Sequence, residues 1–181
     1  FYNWRRAPSF FDMVAYTGTG SNRNLSHNLT VEPEMIWFKS RSSSVDWIVH
    51  HKDYGGTYPS SREYNYLNSN GGLVTPYQPL TSAPTASSLA LSASSGTNGN
   101  NTTYIAYLFA TLNGISKVGS YTGNGTNQNI DCGFSSGARF VLIKPVDAGN
   151  AWYVFDSTRG IVAGNDPFIL LNTNDAEITS A

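Results

Sequence analysis

The chain has 181 residues, 11 Lys and Arg against 12 Asp and Glu, a net charge of -1 and only 13% charged residues, about half the roughly 25% of an ordinary soluble domain. This balance carries no electrostatic footprint for a phosphate backbone or an anionic membrane surface, so nucleic-acid binding is not expected, and since no run approaches the roughly 18 or more apolar residues of a membrane span, neither is membrane insertion. A lone cysteine, Cys132, excludes an internal disulfide and a cysteine-rich zinc site.

The sequence opens on Phe1 rather than Met, and residues 1–13 read as a connection from a preceding segment. Short apolar clusters rich in aromatic and β-branched residues follow in order: Met35-Ile36-Trp37-Phe38, Trp47-Ile48-Val49, Tyr104-Ile105-Ala106-Tyr107-Leu108-Phe109, Phe140-Val141-Leu142-Ile143, Trp152-Tyr153-Val154-Phe155 and Phe168-Ile169-Leu170-Leu171. Each is strand-length. Gly, Asn, Ser and Pro stretches at 18–24, 68–72, 94–103 and 124–129 separate them, and such stretches break helices and favour turns. The fold class expected is therefore all-β. Residues 81–95 have low complexity, yet the spacing of two between Leu89 and Leu91 predicts a weak strand in preference to a mobile linker.

An internal repeat organises these elements. Tyr16-Thr17-Gly18-Thr19-Gly20 recurs as Tyr121-Thr122-Gly123-Asn124-Gly125, and the same shift of about 105 residues pairs Lys39 with Lys144, Trp47 with Trp152, Val49 with Val154 and Gly55 with Gly160. With a loop one residue shorter, Tyr66-Leu67-Asn68-Ser69-Asn70 falls on Leu170-Leu171-Asn172-Thr173-Asn174. A unit of that size has the dimensions of a small β-sandwich or jelly roll. The expected organisation is a first sandwich repeat at 14–116 and a second, incomplete one at 117–181, whose counterpart of the 104–110 strand would lie past Ala181. Either the second copy borrows a strand from elsewhere, or the two copies share one larger jelly roll; the sequence leaves both open. On either reading, residues 14–56 and 119–161 are expected to form the same strands, with Trp47 and Trp152 in equivalent core or strand-face positions.

The opening Trp4-Arg5-Arg6-Ala7-Pro8-Ser9-Phe10-Phe11-Asp12-Met13-Val14, the paired Tyr-Thr-Gly-x-Gly segments, Ser26-His27-Asn28-Leu29 with Glu32-Pro33-Glu34-Met35-Ile36, and Gly114-Ile115-Ser116-Lys117-Val118-Gly119-Ser120-Tyr121 carry a resemblance across nearly the whole chain. They look like a tandem-repeat family of uncharacterised domains in virion proteins of tailed phages, many of them marine. The resemblance implies a lectin-like or concanavalin-like β-sandwich with a structural role in the virion, and it supplies no catalytic residues. Ser9 and Thr30 stand where that family commonly has glycine.

Candidate chemistry is sparse. Gly133-Phe134-Ser135-Ser136-Gly137 has the form of a nucleophile elbow, but no histidine follows residue 51 to serve it, so a turn is expected. His27, His50 and His51 are the only histidines. Neighbours on a strand point to opposite faces, so His50 and His51 do not share an ion. The repeat places His50 with Phe155, a packing position, and His51 with Asp156, a solvent-facing one. Asp166 with Asn165, and Asn174 with Asp175, are oxygen donors without EF-hand spacing. No metal or cofactor is expected, and no pair of carboxylates is nominated for glycoside hydrolysis.

Aromatic residues in polar loops remain. Tyr54, Tyr58, Tyr64, Tyr66 and Tyr77 flank a Gly, Pro and Ser-rich stretch, and open aromatic faces beside hydrogen-bonding groups suit sugars, although tyrosine also packs interfaces. Two functions follow as expectations. One is a non-enzymatic virion component, in a tail or fibre appendage or on the capsid surface. The other is a receptor-binding module that recognises host surface glycans through these tyrosines. Partners expected are further copies of the chain or other virion proteins, in a homo-oligomer that would be a trimer in a fibre.

Overall fold

The structure, a computed structural model, describes residues 3–75, 79–161 and 166–179. In chain order the elements are β1 (Phe11–Thr17), β2 (Arg23–Ser26), β3 (Met35–Ser40), β4 (Ile48–His51), β5 (Asn65–Tyr66), β6 (Ser88–Leu91), the four-residue helix α1 (Ser95–Asn98), β7 (Thr103–Phe109), β8 (Phe140–Ile143), β9 (Tyr153–Asp156) and β10 (Phe168–Leu170). Each apolar cluster of the sequence supplies a strand, and the doubtful 81–95 stretch yields β6. The class is all-β, with antiparallel sheets packed as a sandwich.

A five-stranded sheet in the order β1-β7-β3-β4-β5 forms the centre. Successive side chains on a strand point to opposite faces, and here both faces are covered. Ile36, Phe38, Ile48 and Leu108 pack on one side against Leu25, Leu89 and Leu91 of the β2-β6 ladder. Trp37, Val49 and Phe109 point the other way and pack against Trp152 and Val118. Coverage on both faces explains why β3 reads as an unbroken apolar run instead of alternating with polar residues. Fully burying Ile36 and Phe38 contributes about 1.5–3 kcal/mol each.

The third layer is the sheet β10-β9-β8. Its register repeats that of β3-β4-β5: Met35 opposes His51 and Phe38 opposes Ile48, just as Phe140 opposes Asp156 and Ile143 opposes Tyr153. The flanking contacts agree too. Trp47 N donates to Asn68 Oδ1 at 2.9 Å and Trp152 N to Asn172 Oδ1 at 2.7 Å. Tyr64 bridges Val74, and Phe168 bridges Ile178.

The correspondence stops there. Residues 119–131 form no strand, although 14–26 supply most of β1 and all of β2. The reason lies in pairing: β1 is held by β7 and β2 by β6, and no described residues play those parts for 119–131. Trp47 and Trp152 also differ. Trp47 is half-buried and stacks on Tyr107 at 6.1 Å, whereas Trp152 is buried between sheets with Nε1 donating to Tyr66 O at 3.0 Å. β1 begins at Phe11, so a boundary at 13/14 would cut a strand. Asp156 is buried, not solvent-facing: its Oδ1 accepts from Thr158 N and Arg159 N at 2.9 Å, as His51 Nδ1 accepts from Asp53 N at 3.1 Å. The shared position caps the turn after the strand.

The two positions where the resemblance implies glycine share a backbone conformation. Ser9 and Thr30 both adopt left-handed backbone, with φ of 62° and 70°, a region that costs a side-chain-bearing residue about 1–2 kcal/mol. They sit together: Ser9 N donates to Leu29 O at 2.6 Å. Gly114, the counterpart of Ser9, has φ of 75°.

Candidate functional site

The segment 52–64 after β4 carries most of the candidate tyrosines, and its own hydrogen bonds shape it. Gly55 N donates to Glu63 Oε2 at 2.8 Å and Glu63 N to Gly55 O at 3.0 Å, closing the loop on itself. Arg62 crosses underneath, donating to the carbonyls of His51 at 2.9 Å and Lys52 at 2.6 Å. Its guanidinium lies 5.3 Å from the centre of the Tyr58 ring, a cation–π distance.

This closure turns the rings inward. Tyr54 is 8% exposed, its ring 5.2 Å from that of His51. Tyr64 is 2% exposed and meets Tyr66 edge-on at 5.4 Å, with hydroxyls 3.2 Å apart. Tyr58 is half-buried with its hydroxyl 3.2 Å from His50 Nε2. Tyr77 lies outside the described residues. Stacking on a sugar needs an open ring face, and Tyr54 and Tyr64 present none. Burial pushes the Tyr54 hydroxyl far above its ordinary pKa.

The histidines are likewise built into the packing. His50 is 2% exposed. Its burial, together with the charges of Arg62 and His51, pushes its pKa down to about 3, so at neutral pH it is an uncharged packing group. His27 follows β2 in another layer, bonded to Thr85 O at 3.1 Å and accepting from Leu29 N at 3.2 Å through Nδ1. Burial lowers its pKa as well. Among the described residues no group of three or more His, Cys, Asp or Glu is placed to hold a metal. Asn165 lies outside them. Residues 133–137 are loop, with φ of 71° at Gly133 and 77° at Gly137, so no strand presents Ser135 as an elbow would require.

Two hollows were not anticipated from sequence. One, about 320 Å³, is lined by Val31, Glu32, Glu34, Lys52, Ala110 and Thr111. Its Glu34 carboxylate accepts from Lys52 Nζ at 2.7 Å, from Thr111 N at 2.7 Å and from the Thr111 hydroxyl. Burial acts to raise the Glu34 pKa, but these donors outweigh it and hold the pKa below the usual carboxylate range. The carboxylate is committed to joining β3 and β4 to the end of β7.

The other hollow, about 530 Å³, is lined by the 121–130 segment, including Tyr121, Gly123, Asn124, Thr126, Gln128 and Ile130. Tyr121 is 51% and Ile130 47% exposed, while their counterparts Tyr16 and Leu25 are 9% and 8% exposed. The recurrence of apolar residues at these positions was the available signal.

A family described as a domain of unknown function (DUF7483) matches residues 6–181, and the chain belongs to it. Neither a curated protein nor a solved structure matches the chain.

Proposed function

We propose that this member of the DUF7483 family is a non-enzymatic structural protein of a phage virion, one that builds a tail, fibre or capsid-surface element from like β units arranged in tandem. The observation that carries this reading is the common register of β3-β4-β5 and β8-β9-β10, down to the Asn68 and Asn172 side chains that anchor Trp47 and Trp152. Trp152 joins the two groups by inserting into the cluster of Trp37, Val49 and Phe109. A chain that repeats a strand group and stacks it on its predecessor extends by addition, as spacer elements of appendages do. The resemblance in sequence to tailed-phage proteins supports a virion setting for that architecture, with further copies or other virion proteins as partners.

Labelling intact particles with an antibody against this chain tests the proposal. Label on an external appendage or the capsid surface is expected, and particles that carry none would overturn it. The glycan-binding alternative would draw on the half-buried Tyr58 and Tyr66, because Tyr54 and Tyr64 are buried.

A further inference from the structure

In the central sheet, β3 is flanked by β7, and the 14–26 segment is clamped from above by residues 88–109. The clamp is specific. Tyr16 stacks on Tyr104 at 5.4 Å and donates its hydroxyl to Thr97 O at 2.5 Å. Buried Asn98 accepts from Thr19 N at 3.0 Å through Oδ1 and from Gly20 N at 2.8 Å through its carbonyl, while its Nδ2 donates to Ser21 O at 2.7 Å. Leu25 opposes Leu89 across the β2-β6 ladder.

The receiving parts of this arrangement recur at 119–143, but the inserted part has no counterpart among the described residues. β8 ends its sheet on the side where β3 carries β7, so that side has no neighbouring strand among the described residues. Tyr121 and Ile130, the counterparts of Tyr16 and Leu25, are exposed beside the larger hollow. The glycines are the sharpest sign. A Cβ on Gly18 would lie 2.2 Å from Gly99 O and 2.7 Å from Asn98 C, so the clamp itself demands glycine there. At Gly123 a Cβ would meet nothing within 4 Å, and its φ is not among the left-handed values that favour glycine. Gly123 answers to no contact within the described residues.

We propose that the outer edge of β8 and residues 119–131 form an acceptor site for one occupant: a strand–turn–strand segment of the same kind as residues 88–109, supplied by a further unit of the same type. A strand at the end of a sheet is a template for strand addition. The site selects its strand by a tyrosine to stack on Tyr121, an asparagine to strap the Gly123-Asn124-Gly125 turn, and an apolar residue opposite Ile130. The inference rests on the tandem-unit part of the proposed function but not on its place in a virion, so particle labelling and the experiment below fail independently.

The test adds a synthetic peptide of residues 79–112 to the full chain and follows binding by calorimetry and amide exchange by mass spectrometry. One peptide per chain is expected to bind, slowing exchange at 119–131 and 140–143 by about tenfold or more. Gly123→Ala is expected to leave the melting temperature of the chain alone unchanged while weakening peptide binding by about tenfold or more. A variant with residues 76–112 fused after residue 179 serves as a second measurement and is expected to show the same protection without added peptide. Three results would overturn the proposal: no protection in either format, peptide binding indifferent to Gly123→Ala, or an edge already protected in the isolated chain by self-association.

Discussion

The region 11–109 and the region 119–170 start from the same pattern of residues and end in different structures. In the first, the tyrosine–glycine segment becomes a paired strand and a clamped turn, and Tyr16 and Leu25 disappear from solvent. In the second, the same letters leave Tyr121 and Ile130 half-exposed. The difference teaches that a strand is a property of a pair. Local pattern specifies which residues can extend and which face is apolar, but the ladder forms only where a partner strand supplies the complementary hydrogen bonds.

The largest expected effect concerns the joint between the regions. Trp152→Ala removes a buried indole from the inter-sheet cluster and leaves Tyr66 O without that donor, so equilibrium denaturation should show a loss of about 3–5 kcal/mol. Trp47→Ala, at the half-buried equivalent position, should cost clearly less. Equal losses would mean that the two positions are energetically alike after all.

The glycines sharpen the same contrast. Gly18→Ala drives a methyl into the backbone of Asn98 and Gly99 and should destabilise by roughly 3 kcal/mol. Gly123→Ala should stay within about 0.5 kcal/mol, as unencumbered surface changes do. Thermal melts of the two variants side by side decide it.

His50 can take up a proton where its counterpart Phe155 cannot. The folded pKa of His50 lies at about 3, below the unfolded value of about 6.5, so the unfolded chain takes up the proton first. This group therefore costs no stability above about pH 6.5 and a growing amount as pH falls towards 3, about 2 kcal/mol at pH 5. His50→Phe, copying Phe155, should flatten the stability profile between pH 6.5 and 4 in urea titrations. An unchanged slope would show that His50 becomes protonated within the fold. Asp12 acts lower down: burial raises its pKa, but donors from Asn28, Arg6 and Met13 outweigh that and hold it below the usual range. Its contribution is present above the unfolded carboxylate pKa and is lost as pH falls through the depressed folded value.

The remaining effect is a gain. Ser9→Gly, copying Gly114, should relieve the left-handed backbone strain and add about 1 kcal/mol, read as a rise in the urea midpoint. A fall would mean that the Ser9 side chain supplies more than its backbone conformation costs.

Much of this architecture was legible in the residues themselves. The apolar clusters marked the strands, since period-two patterning and helix-breaking punctuation are local properties. The shift linking Lys39 with Lys144 and Trp47 with Trp152 foreshadowed a common register, because identical residues at identical spacing make the same ladder when the ladder is local, as in β3-β4 and β8-β9. What the sequence by itself determined was thus the set of extendable segments and the neighbours each finds across a short loop. Tertiary structure alone decided the fates that hang on distant partners. Tyr54 and Tyr64 look like loop aromatics, yet loop closure by Arg62 and Glu63 carries them inside. Asp156 looks solvent-facing, yet it is buried beneath the turn it caps. Residues 119–131 copy much of β1 and β2 in composition but find, among the described residues, none of the non-local pairing that ordered them. The physical reason is common to all three: burial and strand pairing depend on which surfaces the folded chain brings together, and those surfaces lie many residues away from the ones they cover.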